Sequence, residues 1–237
     1  MAKATHKWAF KPGMRAGAYS WKSSSKAIER LKSASSEIRA VARVDPVTAA
    51  EGVIALAQRI WPAFEHIDTS SGALGNAVRR TLEELLPVLI EAPADEKTRA
   101  KWLEQLREAI EDDGVDYLAP IADRFGQIAT YPSLMNLHAD RDLDMIEAAW
   151  SDHAHFIHVP TATLTLSCLV EAGRYDELLA LLERKIPASG SMRSSEPKPC
   201  CVRAAQTRPS PALRRCSLIS AANGGTSRSR SSVSASW

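Results

Sequence analysis

Between about residues 24 and 185, apolar side chains return every third or fourth position, and this period limits the fold more than any other feature of the chain. In DPVTAAEGVIALAQRIWPAF, Val53, Leu56, Ala57, Ile60, Trp61 and Phe64 fall on one face of a helix. Asp45 and Pro46 form a start signal: a side-chain acceptor at the N-cap, then a residue with no donor to satisfy. ALGNAVRRTLEELLPVLIEA places Leu74, Val78, Leu82, Leu85 and Leu89 in register, and DEKTRAKWLEQLREAIEDDG does the same with Leu103, Leu106 and Ile110, with acids at its start and Gly114 as a stop. Pro62 and Pro87 are expected to kink or shorten their helices.

Two further helical stretches follow, VDYLAPIADRFGQIA and PSLMNLHADRDLDMIEAAW, the second with Leu143, Ile146 and Trp150 aligned. PTATLTL alternates threonine with apolar residues at a strand's period of two. Pro160 suits a helix's first turn, however, and the run passes unbroken into SCLVEAG, so helix is the expectation here too. LSCLVEAGRYDELLALLERK then reads as a helix ending at Gly173 and a second with Tyr175, Leu178, Leu179 and Leu182 inward. That is the grammar of tetratricopeptide-type helix pairs. The expected fold is all-α: an irregular helical array or α-solenoid, tetratricopeptide-like, with disordered termini.

RVDPVTAAEGVIALAQRIWPAFEHIDTSSGALGNAV and LVEAGRYDELLALLERK together resemble a bacterial family of unknown function, over about residues 45–185. The resemblance implies an all-helical fold with tetratricopeptide-like pairs toward the C-terminal half, and a bacterial cytosolic setting. It carries no activity and no site.

The formal net charge of +2 conceals a division. Residues 1–185 hold 22 Lys/Arg against 27 Asp/Glu, whereas residues 186–237 hold 8 against 1. The expected organisation is therefore a basic, aromatic-containing arm (1–23), a helical domain (24–185) and a basic low-complexity tail (186–237). The tail reads either as a disordered arm for nucleic acid or an acidic partner, or as the product of a frame change after codon 185. The second reading is favoured because a solenoid would continue there with another helix pair, and the coding DNA decides it. A break at that point would leave the face of Leu178 and Leu182 uncapped and open to self-association. No apolar run reaches the ~20 residues of a spanning helix, and the start lacks a secretory h-region, so a cytoplasmic location is expected. Cys168, Cys200, Cys201 and Cys216 match no zinc spacing.

Chemistry has few places to reside. HIDTSSGALGN gathers small and hydroxyl residues before a helix, which makes Thr69, Ser70, Ser71 and Gly72 a candidate anion site. It lacks the Walker lysine and the second loop of an aspartic peptidase. The alternative is a cap, with Asp68, Thr69 or Ser70 accepting the helix's free N–H groups. SDHAHFIHVP offers His153, His155, His158 and Asp152 as zinc ligands, although its spacing is not diagnostic. Asp140, Asp142 and Asp144 imitate an EF-hand loop but lack its glycine and its bidentate glutamate. In the N-terminal arm Lys3, Lys7, Lys11, Arg15 and Lys22 alternate with Trp8, Phe10, Tyr19 and Trp21. These residues could grip single-stranded nucleic acid by charge and stacking, or lie across the first helices with the aromatics down; the packed arm is the expectation.

The expected function is a non-enzymatic helical scaffold presenting surfaces to a protein or peptide partner. The alternatives are a nucleic-acid-associated protein using the basic arm and, third, a metal-dependent enzyme at residues 152–158.

Overall fold

The computed structural model describes residues 6–151 and 159–185. Among them the chain forms α1 (Ser24–Ala42), α2 (Pro46–Phe64), α3 (Ala73–Glu91), α4 (Glu96–Glu111), α5 (Ala119–Asp123), α6 (Phe125–Ala129), α7 (Pro132–Asp140), α8 (Leu143–Ser151), α9 (Ala162–Glu171) and α10 (Tyr175–Lys185), and no strand. None of these helices is long and apolar enough to cross a membrane. Residues 1–5, the tail and the segment 152–158 lie outside the described residues.

Local chemistry sets the helix starts. Asp45 accepts the Thr48 N–H at 3.0 Å and its hydroxyl at 2.7 Å, with Pro46 in the first turn as expected. Asp95 repeats the device on α4, taking the Thr98 N–H at 2.8 Å, and bonds to Thr98 hold its carboxyl below the usual carboxylate range. The apolar stripes of α2, α3 and α4 are buried where the period places them, although Trp61 is only half-buried. Pro62 and Pro87 neither kink nor shorten their helices enough to end them: α2 and α3 run on through both. Both prolines face solvent, and so does Glu83, whose carbonyl loses the bond Pro87 cannot donate and is left to water. Gly114 does not stop α4, which ends three residues earlier at Glu111.

α1, α2 and α3 pack on one another, α4 lies on α2 and α6, and α9 packs against α5, α6 and α7; α10 covers α8 and α9. The α9–α10 turn is a Schellman closure: the Gly173 N–H reaches the Val170 carbonyl and the Arg174 N–H the Leu169 carbonyl, with Gly173 at φ +75°. The inward stripe of α10 is rotated from the expected one. Leu178 and Leu181 are buried and Leu182 partly so, while Tyr175 (54% exposed) and Leu179 (57%) face outward, because α10 packs on two helices at once.

Residues 6–23 are packed, contrary to the expected disorder of the termini. Trp8, Phe10, Met14 and Tyr19 are buried, and the Glu37 carboxylate accepts the Ala9 and Phe10 N–H groups at 2.7 and 3.2 Å. Trp8 lies so close to α2 that a Cβ at Gly52 would come within 2.3 Å of its indole. Only the aromatic nearest α1 departs from this pattern: Trp21 is 63% exposed.

Two buried arginines on α4 organise the next layer. Arg99, 2% exposed, donates to the carbonyls of Leu89, Ile90 and Ala92 at the end of α3 and of Ile128 at the end of α6. Helix C-termini carry partial negative charge, so a cation there needs no carboxylate. Arg107, equally buried, instead pairs with Asp142 at 2.7 Å and reaches Glu111 at 3.5 Å.

Candidate cleft between the α3 start and the α4–α5 loop

A cleft of about 890 Å³ opens between the loop before α3, the first turns of α3, the α4–α5 loop with α5, and residues 159–163. One wall brings Thr69, Gly72, Gly75, Asn76 and Arg79; the other brings Glu111, Asp113, Asp116, Tyr117 and Asp123.

The first wall is made by HIDTSSGALGN, whose groups are spent on the turn itself. Asp68 accepts the Ser70 N–H at 2.9 Å, and that backbone bond is the main reason its carboxyl sits below the usual range. The Ser71 hydroxyl accepts the Ala73 N–H at 3.4 Å. None of Asp68, Thr69 or Ser70 caps α3: the N-cap is Gly72, at φ +67°, with no side-chain bond. The loop is tied from behind, since the Asp68 N–H donates to the Trp21 carbonyl at 3.0 Å and the Ser24 hydroxyl to the Asp68 carbonyl at 3.1 Å. Of the four anion candidates, Thr69 and Gly72 line the cleft.

The second wall is built around Asp113. Its carboxylate accepts the Val115 N–H at 3.3 Å and the Leu118 N–H at 2.7 Å, folding the loop so that Asp116 stands in the left-handed region at φ +58°. Burial pushes the Asp113 carboxyl up, against the pull of these backbone bonds. Asp123 is also raised by the surrounding protein, while Arg79 and Arg124 draw it back down. Tyr117 is 6% exposed, with its ring edge-on to Phe64 at 6.2 Å. Its hydroxyl has no partner among the described residues, and burial raises its pKa.

No group of three or more His, Cys, Asp or Glu side chains among the described residues is placed to hold a metal ion. The proposed zinc set of Asp152, His153, His155 and His158 lies outside the described residues; Val159 and Pro160, which follow it, line the cleft. The basic arm is split by packing. Lys7, Arg15 and Lys22 are exposed and Lys11 half-exposed, but Trp8, Phe10 and Tyr19 are buried and offer no stacking face; Lys3 lies outside the described residues.

A polar group deep in the fold went unpredicted. His138, 1% exposed, stands edge-on to Phe125 at 5.2 Å and 3.9 Å from Glu104; burial first, then Arg107, lowers its pKa to about 4. Burial likewise pushes the Cys168 thiol up to about 12, leaving it protonated and unreactive. Arg99 and Arg107 could have been found in the sequence, because both stand on the apolar stripe of α4 defined by Leu103, Leu106 and Ile110.

Compared with known proteins, the chain matches no family model, no curated protein and no solved structure. The all-helical fold implied by the family resemblance is present in the described residues.

Proposed function

We propose that the chain is a non-enzymatic helical scaffold of the solenoid type, with tetratricopeptide-like pairing, which holds a protein partner in the α3–α5 cleft. The observation that carries this reading is the packing of next-but-one helices: α1 on α3, α2 on α4, α7 on α9 and α8 on α10. Helix pairs stacked in this way present an extended face to a peptide. The Gly173 closure supports it as well, because it folds α9 and α10 into the short-linked hairpin that such arrays use.

Panning a random-peptide library on the immobilised full chain tests the reading. An enriched consensus that disappears with Gly75→Phe is expected, since position 75 opens into empty space and a ring there would fill the cleft without striking its neighbours. Absence of any consensus, or a consensus indifferent to Gly75→Phe, overturns it. A lesser contact follows from α10, where Tyr175 and Leu179 lie four residues apart on an outward face. Self-association through that face predicts a concentration-dependent mass in sedimentation equilibrium that Leu179→Glu abolishes; a constant monomer mass opposes it.

A further inference from the structure

We infer that the cleft takes a basic peptide, a lysine- or arginine-bearing segment of the partner, and neither an anion nor a metal ion. The inference rests on the scaffold reading above and supplies the chemistry of the partner. Four carboxylate residues line the cleft, Glu111, Asp113, Asp116 and Asp123, against the single cation Arg79. Arg79 lies near enough to Asp123 to act on its carboxyl, so its charge is partly answered within the walls. Glu111 leans toward Arg107 at 3.5 Å, but Asp116 is exposed and makes no ion pair among the described residues. The cleft therefore presents a surplus of negative charge.

The spacing of that charge selects the ligand. The carboxylates do not converge in a group of three that could share one cation. Distributed acids along an open trough match several separated ammonium or guanidinium groups, as a peptide presents them, better than a single ion. An anion at Thr69–Gly72 would meet the α3 N-terminus on one side and this surplus on the other.

Two features beyond the acids point to an occupant. Tyr117, a lining residue more than nine-tenths buried, carries a hydroxyl with no partner among the described residues, and such a group is costly to leave unpaired. Trp21 stands beside the Thr69 end, since its carbonyl holds Asp68, and its indole is 63% exposed. An exposed indole next to an acidic trough suits a guanidinium or ammonium group that stacks on it. The left-handed backbone of Asp116 agrees with this picture, because it fixes one carboxylate at the rim by the bonds of Asp113.

The test uses the full chain and two fluorescein-labelled octapeptides, one alternating Lys with Gly and the other Glu with Gly, read by fluorescence anisotropy at two salt concentrations. The lysine peptide is expected to bind at least tenfold tighter than the glutamate peptide, and less tightly at high salt. Asp116→Asn with Asp123→Asn is expected to weaken it at least tenfold, and Gly75→Phe to abolish it. Asn tolerates the left-handed region, so the double variant removes charge without disturbing the loop, and an unchanged melting temperature checks this. Equal affinity for both peptides, unchanged binding by the double variant, or competition by inorganic phosphate overturns the inference. An acidic or apolar consensus from the panning also overturns it while leaving the scaffold reading intact; no consensus at all brings down both.

Discussion

Arg99 and Arg107 occupy the same helix, eight residues apart and each 2% exposed, yet the protein accommodates them in different ways. Arg99 spends both terminal nitrogens on four backbone carbonyls and stacks over Trp102 at 5.7 Å; only its Nε is unpartnered. Burial lowers its pKa, with no carboxylate partner set against that. Arg107 relies on carboxylates, chiefly Asp142, through Nη1 alone, while its Nε and Nη2 are buried without partners. The first arginine closes two helix ends that would otherwise leave carbonyls bare. The second holds one side chain against another at the cost of two unsatisfied donors. One is part of the backbone's own hydrogen bonding, and the other is an ion pair that apolar residues could replace.

That contrast can be broken by experiment. Arg99→Met exposes four buried carbonyls to no donor and is expected to cost about 4 kcal/mol in urea unfolding. A loss no greater than that of Arg107→Met would erase the distinction. His138, beside the Arg107 node, gives the next largest effect. Its folded pKa of about 4 lies below the ordinary value of 6.5, so the unfolded chain binds the extra proton between those limits. Stability from this group is complete above pH 6.5 and is lost as pH falls toward 4, by up to about 3 kcal/mol. Glu104, Asp142, Arg107 and Arg141 all act on this ring. Subtracting the profile of His138→Leu isolates its share, and parallel profiles would refute the assignment.

Arg107→Met alone strands Asp142 and is expected to cost about 2 kcal/mol, whereas Arg107→Met with Asp142→Leu should return to within about 1 kcal/mol of wild type. A double variant no better than the single would show that the ion pair cannot be replaced. The smallest effect sharpens the comparison along α4. Asp95→Ala removes the cap of the turn that carries Arg99 and should cost about 1 kcal/mol. Amide exchange should quicken around residues 96–99 and stay unchanged near Asp142.

Much of this architecture was legible because it follows from period and punctuation. Asp45–Pro46, the stripes from Val53 to Ile110 and the Gly173 turn are local signals, and each lies where its pattern places it. What the pattern missed depends on contacts distant in sequence. The outward turn of Tyr175 and Leu179 is decided by α8, about thirty residues earlier, and burial of the N-terminal aromatics by α1 and α2. The cleft was half visible. HIDTSSGALGN was conspicuous, but its opposite wall, EDDGVDYL, reads as an ordinary acidic helix end until the fold sets the two face to face.

The bonds from Trp21 and Ser24 to Asp68 have a thermodynamic consequence. They join the N-terminal arm to one lip of the cleft, so arm order and loop order form a single equilibrium. Linkage is reciprocal: an occupant that favours the ordered loop must tighten the arm by the same free energy by which the seated arm improves its binding. The Trp8 indole, seated over Gly52 on the other side of α1, would register that exchange in its emission, so the arm doubles as a gauge of occupancy.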